Sequence, residues 1–199
     1  MTDDALLLIG RDADGSGGIY ERHAERLRDR GVAGSVHVVT YERDPQRELR
    51  GALSSIPAGR AYAVPVCTAH THERTDGLPA ALSSADVDVQ YCEPVGRSPS
   101  VTGVVLDRAR ECADAGPGTS LILVGFGNTT GTYNRRVTEY HATRAREQSG
   151  YADVVTCYLT QNPAVECVRY NVSTESAVAV PLFVAPNPAT EDRIPAKLE

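Results

Sequence analysis

The 199-residue chain has no tryptophan, two phenylalanines, one methionine and a single lysine, Lys197. Its arginines are scattered, and the formal net charge is −6 at pH 7. Binding nucleic acid through phosphates needs a concentrated basic surface, so no nucleic-acid partner is expected. No apolar run approaches the roughly 20 residues of a membrane-spanning helix, so no membrane partner is expected either. The acidic start Met1-Thr2-Asp3-Asp4 runs straight into a strand pattern and lacks the basic and apolar regions of a secretory leader, which points to a cytoplasmic protein. Cys67, Cys92, Cys112, Cys157 and Cys167 are odd in number and have no CxxC spacing. Reduced, buried thiols are therefore expected in place of a disulfide framework, an iron–sulfur cluster or structural zinc.

Two glycine-rich signals are also incomplete. Asp12-Ala13-Asp14-Gly15-Ser16-Gly17 places oxygens as a calcium loop does, but His23 stands at the twelfth position, where a bidentate glutamate is needed. Gly10 and Gly15 have the spacing of a phosphate loop without the Lys-Ser/Thr that completes one, and the G-x-G-x-x-G of a dinucleotide fold is missing as well.

What the chain does have is a repeat. Tyr62-Ala-Val-Pro-Val-Cys-Thr-Ala69 is echoed by Ala177-Val-Ala-Val-Pro-Leu-Phe-Val-Ala185. At one constant offset of 116 residues, Val64, Pro65, Ala69, Asp76 and Pro79 fall on Val180, Pro181, Ala185, Asp192 and Pro195. At an offset of 118, His23-Ala24 falls on His141-Ala142 and Pro45 on Pro163. Each half opens on an apolar run closed by glycine, Ala5 to Gly10 and Ser120 to Gly125. Amphipathic helices over Ile19–Arg30 and Asn134–Gln148 follow, then β-branched strands, then second helices beginning near Pro45 and Pro163. Such alternation yields parallel sheets with helices on both faces. The expected fold is α/β: two similar doubly wound lobes from an internal duplication, residues 1–115 and 119–199, facing each other across a cleft.

Chemistry in such sheets sits on loops beyond the carboxyl ends of the strands. His70 and His72 lie on one such loop, and their spacing puts both side chains on the same face of an extended segment. Imidazole can ligate a divalent metal or act as a base near pH 7. Glu42 follows the second strand and emerges at the same sheet edge, so a carboxylate and imidazoles can converge on one ligand. Its second-half counterpart is Thr160, which does not ionise.

In this order and spacing, Leu7-Leu8-Ile9-Gly10, Glu42 before Asp44-Pro45, Val64-Pro65-x-x-x-Ala69, His72-x-x-x-Asp76-x-Leu78-Pro79 and Glu93-Pro94-Val95-Gly96 resemble the class II tetrapyrrole chelatases of the CbiX/SirB type. The resemblance covers nearly the whole chain. It implies a chelatase-like bilobal fold and insertion of Co²⁺ or Fe²⁺, the metal being substrate with no tightly bound cofactor, into sirohydrochlorin in cobalamin or siroheme biosynthesis. It further implies Glu42 and His72 as catalytic residues, with His72, His70 and Glu42 around the metal; His70 stands in for a family histidine by inference alone. The family's first histidine, in Gly-His-Gly-Ser, is replaced by Arg11, and by Phe126 in the second half, while Pro188 matches His72. Arginine stays protonated and cannot ligate a metal. Arg11, with Asp12 beside it, is instead expected to bind the substrate's carboxylates. The leading expectation is a lyase-class chelatase. The alternative is a catalytically degenerate paralogue that keeps the tetrapyrrole site and acts as carrier or as partner subunit of an active chelatase; an unrelated α/β enzyme is the third reading. Homodimerisation is compatible with each.

Overall fold

The computed structural model describes residues 4–12, 17–57, 59–69, 76–83, 85, 87–128 and 131–199. The chain divides into two compact units, Met1–Val95 and Gly96–Glu199. Among the described residues no helix is long and apolar enough to cross a membrane.

The first unit carries strands β1 (Ala5–Arg11), β2 (Ser35–Tyr41), β3 (Arg60–Pro65) and β4 (Asp88–Tyr91), with helices α1 (Gly17–Asp29), α2 (Pro45–Glu48), α3 (Arg50–Ser54) and α4 (Leu78–Leu82). All strand pairs are parallel, in the order β2-β1-β3-β4. Leu7, Leu8, Ile9 and Gly10 in the inner strand β1 are all buried, because helices cover both faces of the sheet. Ala5, Leu7 and Ile9 join Leu49 and Leu53 of the α2–α3 region and Leu78, Ala81 and Leu82 of α4 in one core cluster. Helix α1 lies against β1 and β2, and buries Tyr20 and Ala24.

In the second unit, helix α5 (Ser100–Arg110) precedes strands β5 (Thr119–Gly125), β6 (Asp153–Tyr158) and β7 (Ser176–Pro181), with helices α6 (Tyr133–Gln148) and α7 (Ile194–Leu198). This sheet is also parallel, in the order β6-β5-β7. Helix α5 packs on α6 and β7. The helix expected from Pro163 is instead a 3-10 stretch, Val165–Asn171, that buries Val165 and Val168 against the face of β5 carrying Ile122 and Val124.

The two sheets share a register at their carboxyl edges. Ile9 stands opposite Pro65 in the first and Val124 opposite Pro181 in the second. The residue after each proline then donates its N–H across, Val66 to the Ile9 carbonyl at 2.7 Å and Leu182 to the Val124 carbonyl at 2.9 Å.

Candidate functional site

Parallel strands deliver their carboxyl ends to one edge, so in the first unit Arg11 and Asp12 after β1, Glu42 after β2 and Val66–Ala69 after β3 emerge together. Arg11 pairs in register with Tyr41, and its exposed side chain reaches sideways: Nε donates to the Glu42 carbonyl at 2.8 Å. The Asp12 N–H continues the ladder onto the Tyr41 carbonyl at 3.0 Å. The Asp12 carboxylate accepts from the Gly17 N–H at 2.9 Å, where a negative charge complements the first turn of α1. Glu42 itself is exposed. His70 and His72 lie outside the described residues, as do residues 13–16 of the glycine-rich segment and Thr129-Thr130.

Sequence reasoning missed the group that shapes the turn carrying Glu42. The Glu48 carboxylate accepts three successive backbone N–H groups, from Glu42 at 2.6 Å, Arg43 at 3.0 Å and Asp44 at 2.7 Å. Those bonds, the one from Asp44 foremost, hold the Glu48 carboxyl below its usual 4.5. Asp44 in turn caps α2 by accepting from the N–H groups of Gln46 and Arg47 at 3.1 and 3.3 Å. The available signal was Asp44-Pro45 followed by a glutamate one turn into the helix, a variant of the capping box.

The equivalent edge of the second unit is aromatic. Phe126 follows β5 and is 44% exposed, and Phe183 follows β7. Their rings meet edge to face with centroids 6.3 Å apart, and Phe183 packs partly buried against the core beneath. The signal was in plain view: the chain's two phenylalanines both fall just past strand ends.

The expectation of an active metal-inserting enzyme is corrected by this arrangement. Among the described residues no three His, Cys, Asp or Glu side chains gather closely enough to hold a metal ion. The strand-end positions where a chelatase would place a histidine carry a cation that cannot ligate, Arg11, and a hydrocarbon ring, Phe126. The metal-binding and lyase readings fall with that finding. The cysteines also depart from expectation, since Cys67 and Cys157 are buried, Cys92 is half-buried and Cys112 and Cys167 are exposed. Burial pushes the Cys157 thiol up to about 12, leaving it unreactive at neutral pH.

Two parallel-sheet units with flanking helices, each gathering loops at its carboxyl edge, define a chelatase-like α/β fold. Comparison with known proteins gives the same class. Residues 120–199 match the CbiX family model. The "Probable sirohydrochlorin cobaltochelatase" of Halobacterium salinarum is 24% identical over 96% of this chain and 75% of that protein. The structure of SirB from Bacillus subtilis with Fe³⁺ superposes with a TM-score of 0.77 at 17% identity, over all of this chain and 84% of the other. A multi-domain Deinococcus radiodurans protein, described as structurally similar to chelatases with two additional novel domains, gives 0.73 at 21% identity. It shares 98% of this chain, which spans only 47% of that protein. The chain is thus homologous, at low identity, to the CbiX/SirB-type chelatases.

Proposed function

We propose that this protein binds a tetrapyrrole of the sirohydrochlorin type without inserting a metal, and serves as carrier or as partner subunit of an active chelatase. The observation that carries this reading is the pair of residues at the ends of the two inner strands, Arg11 and Phe126, together with the lack of a metal-holding cluster among the described residues. Neither side chain can ligate a metal, and each, within its own unit, suits a different part of a tetrapyrrole. A guanidinium is a permanent cation whose planar fork matches a carboxylate. A phenyl ring supplies apolar contact area. In this reading Arg11 binds a rim carboxylate, and Asp12 fixes the start of α1 and the backbone beside it.

The two units are the products of one tandem duplication. Supporting this are the common strand order, the Ile9–Pro65 and Val124–Pro181 registers, and a shared glycine contact. A Cβ at Gly10 would run into the Tyr20 ring, and one at Gly125 would lie 2.6 Å from Thr138 Oγ1. Tyr20 and Thr138 are themselves 118 residues apart, the offset of the His-Ala repeat.

The test is to titrate the protein with sirohydrochlorin, then add Co²⁺ and follow the absorbance change. Saturable binding with an insertion rate equal to the protein-free control is expected. Insertion above that control, or no binding, overturns the reading.

A further inference from the structure

We infer that Phe126, backed by Phe183, is the surface against which the flat apolar face of the tetrapyrrole rests, a role that goes beyond the proposed binding function and depends on it. The Phe126 ring is 44% exposed and is carried on a tightly clamped segment. The Phe126 carbonyl accepts from Thr160 twice, from its N–H at 3.1 Å and its hydroxyl at 2.9 Å. Gly127 follows in the left-handed region, φ +83°, with Gln161 Cγ and Thr160 Oγ1 each 2.9 Å from where a Cβ would stand, so glycine alone fits. The Asn128 N–H donates to Gln161 Oε1 at 2.9 Å, and Asn134 Nδ2 donates to the Gly127 carbonyl at 3.2 Å.

Thr160, Gln161 and Asn134 thus lock the backbone from the Phe126 carbonyl onward, while the Phe183 ring meets the Phe126 ring edge to face at 6.3 Å. A ring immobilised before the ligand arrives loses little side-chain freedom on binding. The phenyl ring offers no hydrogen-bonding group and no charge, which suits a flat apolar molecular face and not a phosphate or a metal ion. Thr160 occupies the position of Glu42 in the repeat, so the residue that would carry the carboxylate in the first unit is spent in the second on bracing the platform.

The experiment uses the lack of tryptophan in the chain. Phe126→Trp creates the sole indole, and its emission is expected to be quenched saturably on titration with uroporphyrin, an octacarboxylate porphyrin. Phe126→Ala is expected to weaken uroporphyrin binding about tenfold, an effect of the size aromatic contact supplies, with a thermal melt lowered only by the loss of the edge contact to Phe183, a few degrees at most. Tyr170→Ala removes another exposed aromatic of the same unit, 75% accessible, and is expected to bind as the parent does. If the parent binds uroporphyrin while Phe126→Ala binds equally well and the Phe126→Trp emission is unquenched, the platform is overturned and the binding function stands. If the parent binds neither uroporphyrin nor sirohydrochlorin, both fall.

Discussion

Arg11 Nε donates to the backbone carbonyl of Glu42 at 2.8 Å, so the end of the first unit's inner strand is tied to the turn leaving its neighbour. The bond is exposed, and its loss alone costs little, about 0–1 kcal/mol. Arg11→Gln is therefore expected to melt close to the parent. Its binding of an octacarboxylate porphyrin is expected to fall about fivefold, since a charged partner for a rim carboxylate is gone. Arg11→Lys keeps the charge and loses the fork, and should fall between the two. Titrations at low and high salt check this, because the charge-dependent part weakens as salt screens it.

The Glu42 turn is shaped by Glu48, which makes it sensitive to acid. The folded Glu48 carboxyl lies below 4.5, held there by the N–H groups of Asp44, Glu42 and Arg43. A depressed carboxyl contributes stability that is present above the unfolded value and lost as pH falls through the folded one. Glu48→Gln is expected to melt below the parent at pH 7, with the gap closing as the pH is lowered past 4.5. Melting curves at a series of pH values measure it; a gap that stays constant down to pH 3 counts against the carboxylate.

Gly125→Ala should be costly for a reason of packing. The added Cβ would stand 2.6 Å from Thr138 Oγ1 and 3.0 Å from Tyr158 Cδ1, among side chains that are themselves buried. Overpacking of this kind costs about 1–3 kcal/mol. Removing the obstructing hydroxyl with Thr138→Ala should recover part of the loss. The double mutant is then more stable than the two single effects added together, as urea denaturation would show. Strict additivity would mean that the two positions do not meet.

That glycine shows where the sequence was legible and where it stopped. The apolar runs ending at Gly10 and Gly125 were readable as buried strands, because a strand covered on both faces leaves an unbroken hydrophobic signature. The purpose of the glycines was not. Neither supplies a left-handed turn: the glycines with positive φ among the described residues are Gly31 and Gly127, and Gly10 and Gly125 are needed for the close approach of Tyr20 and Thr138. The strand-end positions of Arg11, Asp12 and Glu42 followed from the alternation of elements. The Glu48 bracing did not, because it depends on one carboxylate folding back onto three N–H groups. The strand-end positions of Phe126 and Phe183 were readable too, but their contact was not, since two residues far apart in the chain meet only once β5 and β7 lie side by side.

The repeated His-Ala pair makes the same point in its strongest form, and gives a last prediction. His23 is exposed on α1, whereas His141, its counterpart on α6, is fully buried. The difference lies in α5 and the segment before it, which supply partners at both ring nitrogens: the Gly96 carbonyl 2.6 Å from Nε2 and Thr102 Oγ1 2.9 Å from Nδ1. A carbonyl only accepts, so the proton is on Nε2, and Nδ1 of the neutral ring accepts from the threonine hydroxyl. Burial, assisted by the Arg144 charge and opposed by the bond to Gly96, lowers the folded pKa below 6.5. The unfolded chain then takes up a proton that the folded chain resists. The resulting stability is present above pH 6.5 and is lost as pH falls below that value toward the lowered folded one. His141→Gln should abolish this component of the pH dependence while keeping a side chain able to hydrogen-bond. His141→Ala should cost about 2–4 kcal/mol, by leaving a cavity and two stranded polar groups. Urea midpoints at pH 7.5 and pH 5.5 decide it: the parent loses stability between them, and the glutamine variant loses distinctly less.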